Sequence, residues 1–260
     1  MNLELNNKYA LVCGSTAGIG KATAIALAEE GTTVTLIARN EEKLKRVLEM
    51  LPNSGKHDYI VADFSDPQKV HQKVAAYIKQ HHGFHILVNN TGGPAGGPVF
   101  SAQIEAFEKA FTHHLKCNHL LAQTVVPFMK ETGYGRIINI ISTSVKQPLE
   151  GLGVSNTIRG AVANWSKTLA NELGEFGITV NNVLPGATST DRLAEIIKNK
   201  SDKSGKTETE AADAMKSGIP AKRFAQPEEL AHAVTFLASA CAGYINGVNL
   251  PVDGGRTKSL

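Results

Sequence analysis

Seven short apolar runs, alternating with stretches of helical hydrophobic spacing, set the limits on what this chain can fold into. Tyr9–Cys13 (YALVC), Val34–Ala38, Tyr59–Ala62, His85–Asn89, Arg136–Ile141, Ile178–Val183 and Val248–Pro251 read as strands. Helical patterns cover Gly18–Glu30, Glu41–Met50, Pro67 to about His81, Ile104–His114, Leu115–Lys130, Val154–Leu173 and Pro227–Ala240. Gly31 supplies a stop for the first helix, and Pro67 a start where its missing N–H costs little. Strands alternating with helices imply βαβ units and a parallel sheet covered on both faces. The expectation is one doubly wound α/β domain over residues 1–260, with a mainly parallel seven-stranded sheet and helices on both sides.

Lys198–Lys206 (KNKSDKSGK) breaks the pattern and reads as a polar surface loop, with Thr207–Ser217 able to form a helix. A mobile lid is expected over about 188–225, between the sixth strand and the last helix.

Composition narrows the function classes. The 27 basic residues are dispersed and the net charge is only +3, so no stripe suited to nucleic acid is evident. No run reaches about 18 apolar residues, and the first ten lack a signal-peptide core, so no membrane role is expected. Cys13, Cys117 and Cys241 are scattered without a CxxC, which fits a reducing compartment and a cytoplasmic location. His81, His82 and His85 lack a Cys or carboxylate to complete a metal set and read as solvated histidines, so no metal is expected.

The most informative local feature is Gly14-Ser15-Thr16-Ala17-Gly18-Ile19-Gly20, set between the first strand and the first helix. Glycines permit a tight turn and a close backbone approach, and a helix N-terminus offers free N–H groups to a pyrophosphate. The second strand ends Ile37-Ala38-Arg39-Asn40. An NAD(H) site would carry an acid there for the ribose 2′-hydroxyl, whereas Arg39 suits a 2′-phosphate, so NADP(H) is the expected cofactor.

Together these pieces resemble the short-chain dehydrogenase/reductase family over essentially the whole chain. Gly14–Gly20 is similar to the family's glycine turn, and Asp63, with Phe64 beside it, to the acid that contacts the adenine. Asn89-Asn90-Thr91-Gly92 resembles the NNAG stretch on the adenine-ribose side. Pro185-Gly186-Ala187-Thr188-Ser189-Thr190 resembles the PGxxxT segment that holds the nicotinamide amide. Tyr244–Gly255 is similar to the C-terminal segment of β-ketoacyl-acyl-carrier-protein reductases. The resemblance implies a Rossmann domain, a homodimer or homotetramer, and a small-molecule or acyl-thioester carbonyl substrate.

The family's catalytic group is Asn, Ser, Tyr and Lys, and the chain departs from it. Ser142 matches the serine. The tyrosine position, 13 residues on, holds Ser155, and the lysine position, four further, holds Arg159. The asparagine position, 13 residues before Pro127, holds His114. A tyrosine phenol beside an ammonium can protonate a developing alkoxide, but a serine hydroxyl is a far poorer acid. His114 is then the candidate acid, because an ordinary imidazole titrates near about 6.5. Arg159 keeps positive charge and a contact to the nicotinamide ribose but is not a proton source. Gly92–Pro98 follows the fourth strand and reads as a wall of the cleft. Trp165 reads as core or subunit contact. Two functions fit these residues: an atypical NADP(H)-dependent oxidoreductase acting on a 3-oxoacyl or related carbonyl, or a dinucleotide-binding sensor or assembly subunit without turnover.

Overall fold

The computed structural model describes residues 1–259, whose strands pair into one seven-stranded sheet. The strands are β1 (Tyr9–Cys13), β2 (Thr33–Ala38), β3 (Asp58–Val61), β4 (Ile86–Asn89), β5 (Gly135–Ile140), β6 (Ile178–Pro185) and β7 (Asn249–Val252). Their order is β3-β2-β1-β4-β5-β6-β7, and every pairing is parallel. The chain reverses its winding between β1 and β4. In such sheets the ligand crevice opens at that switch point, beyond the carboxyl ends of the strands.

Helices fill both faces. On one side α1 (Gly18–Glu29), α2 (Glu41–Met50) and α9 (Pro227–Ala238) bury Leu27, Leu44, Leu230 and Val234 against Val12, Leu36 and Val88. On the other, α3 (Pro67–Gln80), α5 (Cys117–Thr132) and α6 (Gly153–Leu173) bury Val70, Leu121, Met129 and Leu173 against Leu11, Leu87, Ile137 and Val180. The strands are buried from both sides, which is why they read as continuous apolar runs rather than alternating ones.

Three expectations need correction. Lys198–Lys206 is not a loop over most of its length, because α7 runs from Asp191 to Ser204 before α8 (Glu208–Ser217). Thr190 starts α7 by accepting from the Leu193 N–H, and Gly205, at φ +67°, ends it. Lysine, glutamate, leucine and alanine propagate a helix well once it is capped, and the polar composition reflects an exposed face. The segment Ile104–Lys130 is also not two separate helices. α4 (Ile104–Phe111) passes through a π-helical turn, Thr112–Lys116, directly into α5.

The third correction concerns the histidines at the amino ends of the strands. His85 is buried, and its Nδ1 accepts from the Tyr9 N–H at 3.1 Å. His82 stacks on Tyr9 with ring centroids 3.8 Å apart, and His81 stacks on Tyr77 at 4.4 Å. His82 and His85 are thus packed into an aromatic layer rather than solvated, whereas His81 stays exposed, as expected. Burial, with Lys8 and His82 nearby, pulls His85 down to about 4. A histidine depressed in the fold stabilises fully above its unfolded value near 6.5, and that contribution is lost as pH falls toward 4. The melting temperature should therefore drop between pH 7 and pH 4.5, and His85→Gln should make the drop shallower. An unchanged slope in a folded variant would show that His85 is not part of the acid response.

Candidate active site

The glycine turn is tied to the loop after β4. Asn90 Nδ2 donates to the carbonyls of Cys13 and Gly14, both at 3.3 Å. Gly14 and Gly18 have φ of +58° and +51°, the left-handed region where glycine is at ease. A Cβ on Gly20 would stand 2.3 Å from the Gly14 carbonyl oxygen, so only glycine lets α1 sit this close to the turn. The α1 N-terminus has no side-chain cap, and its first turn has no acidic residue. Its free N–H groups and partial positive charge face the switch point uncompensated. Ser15 is fully buried there, and its hydroxyl has no hydrogen-bond partner. Thr16 and Ile19 flank it, half-buried.

Arg39 directly follows β2 and Asp63 lies just after β3, both exposed. Asp63 accepts from the Ser65 N–H at 2.9 Å, which holds its carboxyl below the usual range, with Arg39 adding a smaller pull. Phe64 is half-buried against the α3–α5 core, and its carbonyl accepts from Cys117 Sγ at 3.2 Å. At the other side of the crevice Pro185 ends β6, and Gly186 lies so close to Asp253 that a Cβ would stand 2.6 Å from its Cα. Buried Thr188 donates to the Gly186 carbonyl at 3.1 Å.

The π turn decides where His114 points. One extra residue in that turn rotates the histidine inward, and it is only 2% exposed. Its Nδ1 lies 2.7 Å from Thr91 Oγ1, on the Asn90–Gly92 loop. Burial, with Arg159 and His113 adding smaller pushes, drives His114 down to about 2. The imidazole is neutral near pH 7. Burial therefore weighs against the role expected for His114 from the reference value of an imidazole, an acid that gains and gives up a proton near neutrality. A neutral imidazole still donates one N–H, and fixed donors of that kind stabilise developing negative charge on oxygen.

Ser142 follows β5 and caps a short 3-10 turn, its Oγ accepting from the Ser144 N–H at 3.1 Å. Ser155 and Arg159 lie one turn apart on α6, so their side chains share a face. Arg159 Nη1 donates to the Ile140 carbonyl at 2.8 Å, at the end of β5. The glycine-rich loop is bolted to the start of the same helix: Gly97 N–H donates to Gly151 and Gly153 N–H to Gly97. Arg192 on α7 reaches across to the Pro94 carbonyl at 2.8 Å, joining that loop to the segment expected as a lid.

One feature escaped the sequence reading. Asn89, Asn139, Asn182 and Asn249 stand in register on neighbouring strands, each side-chain amide of the first three donating a hydrogen bond to the side-chain oxygen of the next at 2.8–3.0 Å. Asn139 also donates to Ser166 of α6 at 3.3 Å. This ladder crosses the sheet from the last residue of β4, through β5 and the middle of β6, to the first residue of β7. Asparagine inside otherwise apolar strand runs was the available signal, but pairing it required the register.

The family model described as enoyl-(acyl carrier protein) reductase matches residues 14–257. Glucose 1-dehydrogenase of Gluconobacter oxydans is 37% identical over 96% of this chain and 92% of its own. The NADPH-dependent reductase BacG of Bacillus subtilis is 30% identical over 98% of this chain and all of its own, 100%. The structure of L-sorbose reductase from Gluconobacter frateurii, complexed with NADPH and L-sorbose, superposes with a TM-score of 0.93, at 32% identity and 100% coverage of both chains.

Proposed function

Because the chain belongs to the short-chain dehydrogenase/reductase family, we propose that it is an NADP(H)-dependent oxidoreductase interconverting a carbonyl and an alcohol with an atypical proton path. The observation that carries the cofactor half is the orphaned, fully buried Ser15 hydroxyl beside an uncapped helix N-terminus. A diphosphate supplies the acceptors and the negative charge that this corner lacks. Gly14, Ser15, Thr16, Gly18, Ile19 and Gly20 would cradle it. Asp63, Phe64, Asn90, Thr91 and Gly92 would border the adenosine, and Pro185, Gly186, Thr188 and Thr190 the nicotinamide amide. Relatives that use NADPH support the same reading.

Arg39 selects the phosphorylated cofactor. It is an exposed cation at the end of β2, next to Ala38 where an NAD(H) site would carry an acid. Arg39→Ala should weaken NADPH by about 1.5–3 kcal/mol, the scale of a hydrogen bond to a charged group, and leave NADH nearly unchanged. Equal affinity of the unaltered protein for the two cofactors would refute this choice.

The nicotinamide supplies or accepts a hydride when bound. The chain's own residues do the rest. Ser142 and Ser155 hydrogen-bond the reacting oxygen, and His114, oriented by Thr91, donates to it while neutral. Arg159 supplies positive charge and a contact to the nicotinamide ribose. None of these groups is a strong acid near pH 7, so the proton reaches the oxygen through hydroxyls and water. The α7–α8 pair closes over the substrate, with Arg192 as its contact to the opposite wall. A 3-oxoacyl or related ketone fits this scheme, as does a homodimer or homotetramer, to which exposed Val99, Phe100 and Ile104 would contribute apolar surface. No helix among the described residues is long and apolar enough to cross a membrane, and a cytoplasmic location is part of the proposal.

The neutral His114 and the missing phenol favour a second reading, a dinucleotide-binding sensor or assembly subunit without turnover. NADPH titration followed by NADPH oxidation against a panel of keto-esters, quinones and acyl-thioester ketones separates the two. Tight binding with no oxidation across the panel would leave the binding protein as the better account.

A further inference from the structure

Residues 253–259, after β7, lie against the candidate site, and one carboxylate folds them there. Asp253 accepts from the Gly255 N–H on Oδ1 at 2.9 Å and from the Thr257 N–H on Oδ2 at 2.8 Å. Both oxygens are therefore occupied by the backbone of the tail, and no salt bridge among the described residues involves Asp253. Partial burial pushes its carboxyl up, but the hydrogen bonds from Thr257 and Gly255 outweigh that and hold it below the usual carboxylate range. The anion that organises the tail is thus present at neutral pH.

The folded tail has two anchors. At the first, the Gly254 carbonyl accepts from the Ala221 N–H at 3.1 Å, and a Cβ on Gly254 would stand 3.0 Å from Ala221 Cβ and Ile219 Cγ2. Ile219–Ala221 is the foot of the α7–α8 pair, between the end of α8 at Ser217 and the start of α9 at Pro227. At the second, the Lys258 N–H donates to Gln147 Oε1 at 3.2 Å, and Ser259 Oγ donates to the Lys146 carbonyl at 3.4 Å. Lys146 and Gln147 close the turn that Ser142 opens, their N–H groups donating to the Thr143 carbonyl at 3.0 and 3.1 Å. The same strand end backs the nicotinamide side of the crevice, because the Gly186 N–H donates to the Val252 carbonyl at 3.0 Å.

We propose that Asp253 is a positioning residue: by folding residues 254–259 into a strap between the Ser142 turn and the foot of the α7–α8 pair, it couples the placement of the substrate-binding serine to closure of the lid. The two anchored segments lie far apart in the chain, and the strap gives them a contiguous hydrogen-bonded connection. A substrate oxygen that fits Ser142 leaves turn, strap and foot in register. One that displaces the serine loosens the foot, and the lid closes less firmly over it. The catalytic consequence rests on the oxidoreductase reading above, whereas the coupling between the two anchors does not.

Hydrogen–deuterium exchange on the full chain tests the coupling without any substrate. The amides to read are Ser144 and Lys146 in the turn, Ala221 and Lys222 in the foot, and Gly14, which donates to Ile37, as the distant control. Gln147 is exposed and touches neither Ala221 nor Lys222 through a hydrogen bond. Gln147→Ala should nevertheless speed exchange about 3–10-fold at both anchors, the scale of one neutral hydrogen bond, and leave Gly14 unchanged. Gln147→Glu keeps the acceptor oxygen and should restore the original rates. Asp253→Ala should speed the same amides roughly 10–100-fold, the scale of hydrogen bonds to a charged group, and adding Gln147→Ala to it should change nothing more. If Asp253→Ala does not fold, the two Gln147 variants carry the test. A response confined to the turn, an equal response at Gly14, or no rescue by Gln147→Glu would overturn the proposal. With any ketone that the unaltered protein reduces, Gln147→Ala should lower kcat about 3–10-fold and leave the NADPH Kd within about twofold, because it disturbs the placement of Ser142 and not the cofactor. An unchanged kcat would overturn the coupling to the serine. Absence of turnover in the unaltered protein would overturn the oxidoreductase reading alone, since exchange then decides the strap by itself.

Discussion

Ser155→Tyr combined with Arg159→Lys should raise the reduction of simple ketones by roughly 10²–10⁴-fold, the worth of a positioned general acid. The two residues stand one turn apart on α6, so the new phenol and ammonium would share a face. Ser155 is half-buried, with no side-chain hydrogen bond to give up. The lysine can keep the contact to the Ile140 carbonyl that Arg159 now makes. A phenol next to an ammonium is lowered from about 10 and can donate to an alkoxide near neutrality, which serine does not. Steady-state NADPH oxidation with neutral ketones measures the gain. Because His114 is held neutral, the unaltered protein should show no step from it between pH 5 and pH 8. A folded, cofactor-binding double variant with unchanged rates would mean that the substrate oxygen does not lie where the family resemblance puts it.

Gly18→Val should remove NADP(H) binding, weakening it at least about 100-fold while the protein still folds. Gly18 has φ +51°, a conformation that costs any residue with a Cβ roughly 1–2 kcal/mol, and branching at Cβ adds to the cost. The new Cβ would also stand 3.0 Å from Thr190 Cγ2. Relaxing either contact moves the first residue of α1, and with it the N–H groups offered to the diphosphate. The binding loss is therefore geometric rather than a loss of charge. Circular dichroism checks the fold and calorimetry the affinity. Unchanged affinity in a folded variant would reduce the turn to a plain strand–helix connection.

Much of the molecule was legible in the order of its residues, because the deciding interactions are local. Apolar runs of strand length, helical spacing, Gly31 as a stop and Pro67 as a start act within a few residues of one another. They were enough for the parallel sheet, for the glycine turn at its mouth, and for the i, i+4 pairing of Ser155 with Arg159. Even the misread Lys198–Lys206 failed on a local point, since its charges describe an exposed helical face as well as a loop.

What only the tertiary structure decided depends on groups distant in the chain meeting out of water. Sheet register aligned Asn89, Asn139, Asn182 and Asn249, which lie on separate strands and become partners only when those strands pair side by side. The π turn aimed His114 at Thr91, and burial, with Arg159 adding a smaller push, pulled its titration far below the range of an ordinary imidazole. The same burial left one edge of Arg159 without an acceptor. Residue identity sets the reference charge and hydrogen-bonding capacity of a side chain. Desolvation and the neighbours brought in by folding set what it can do, and neither can be read along a single strand of sequence.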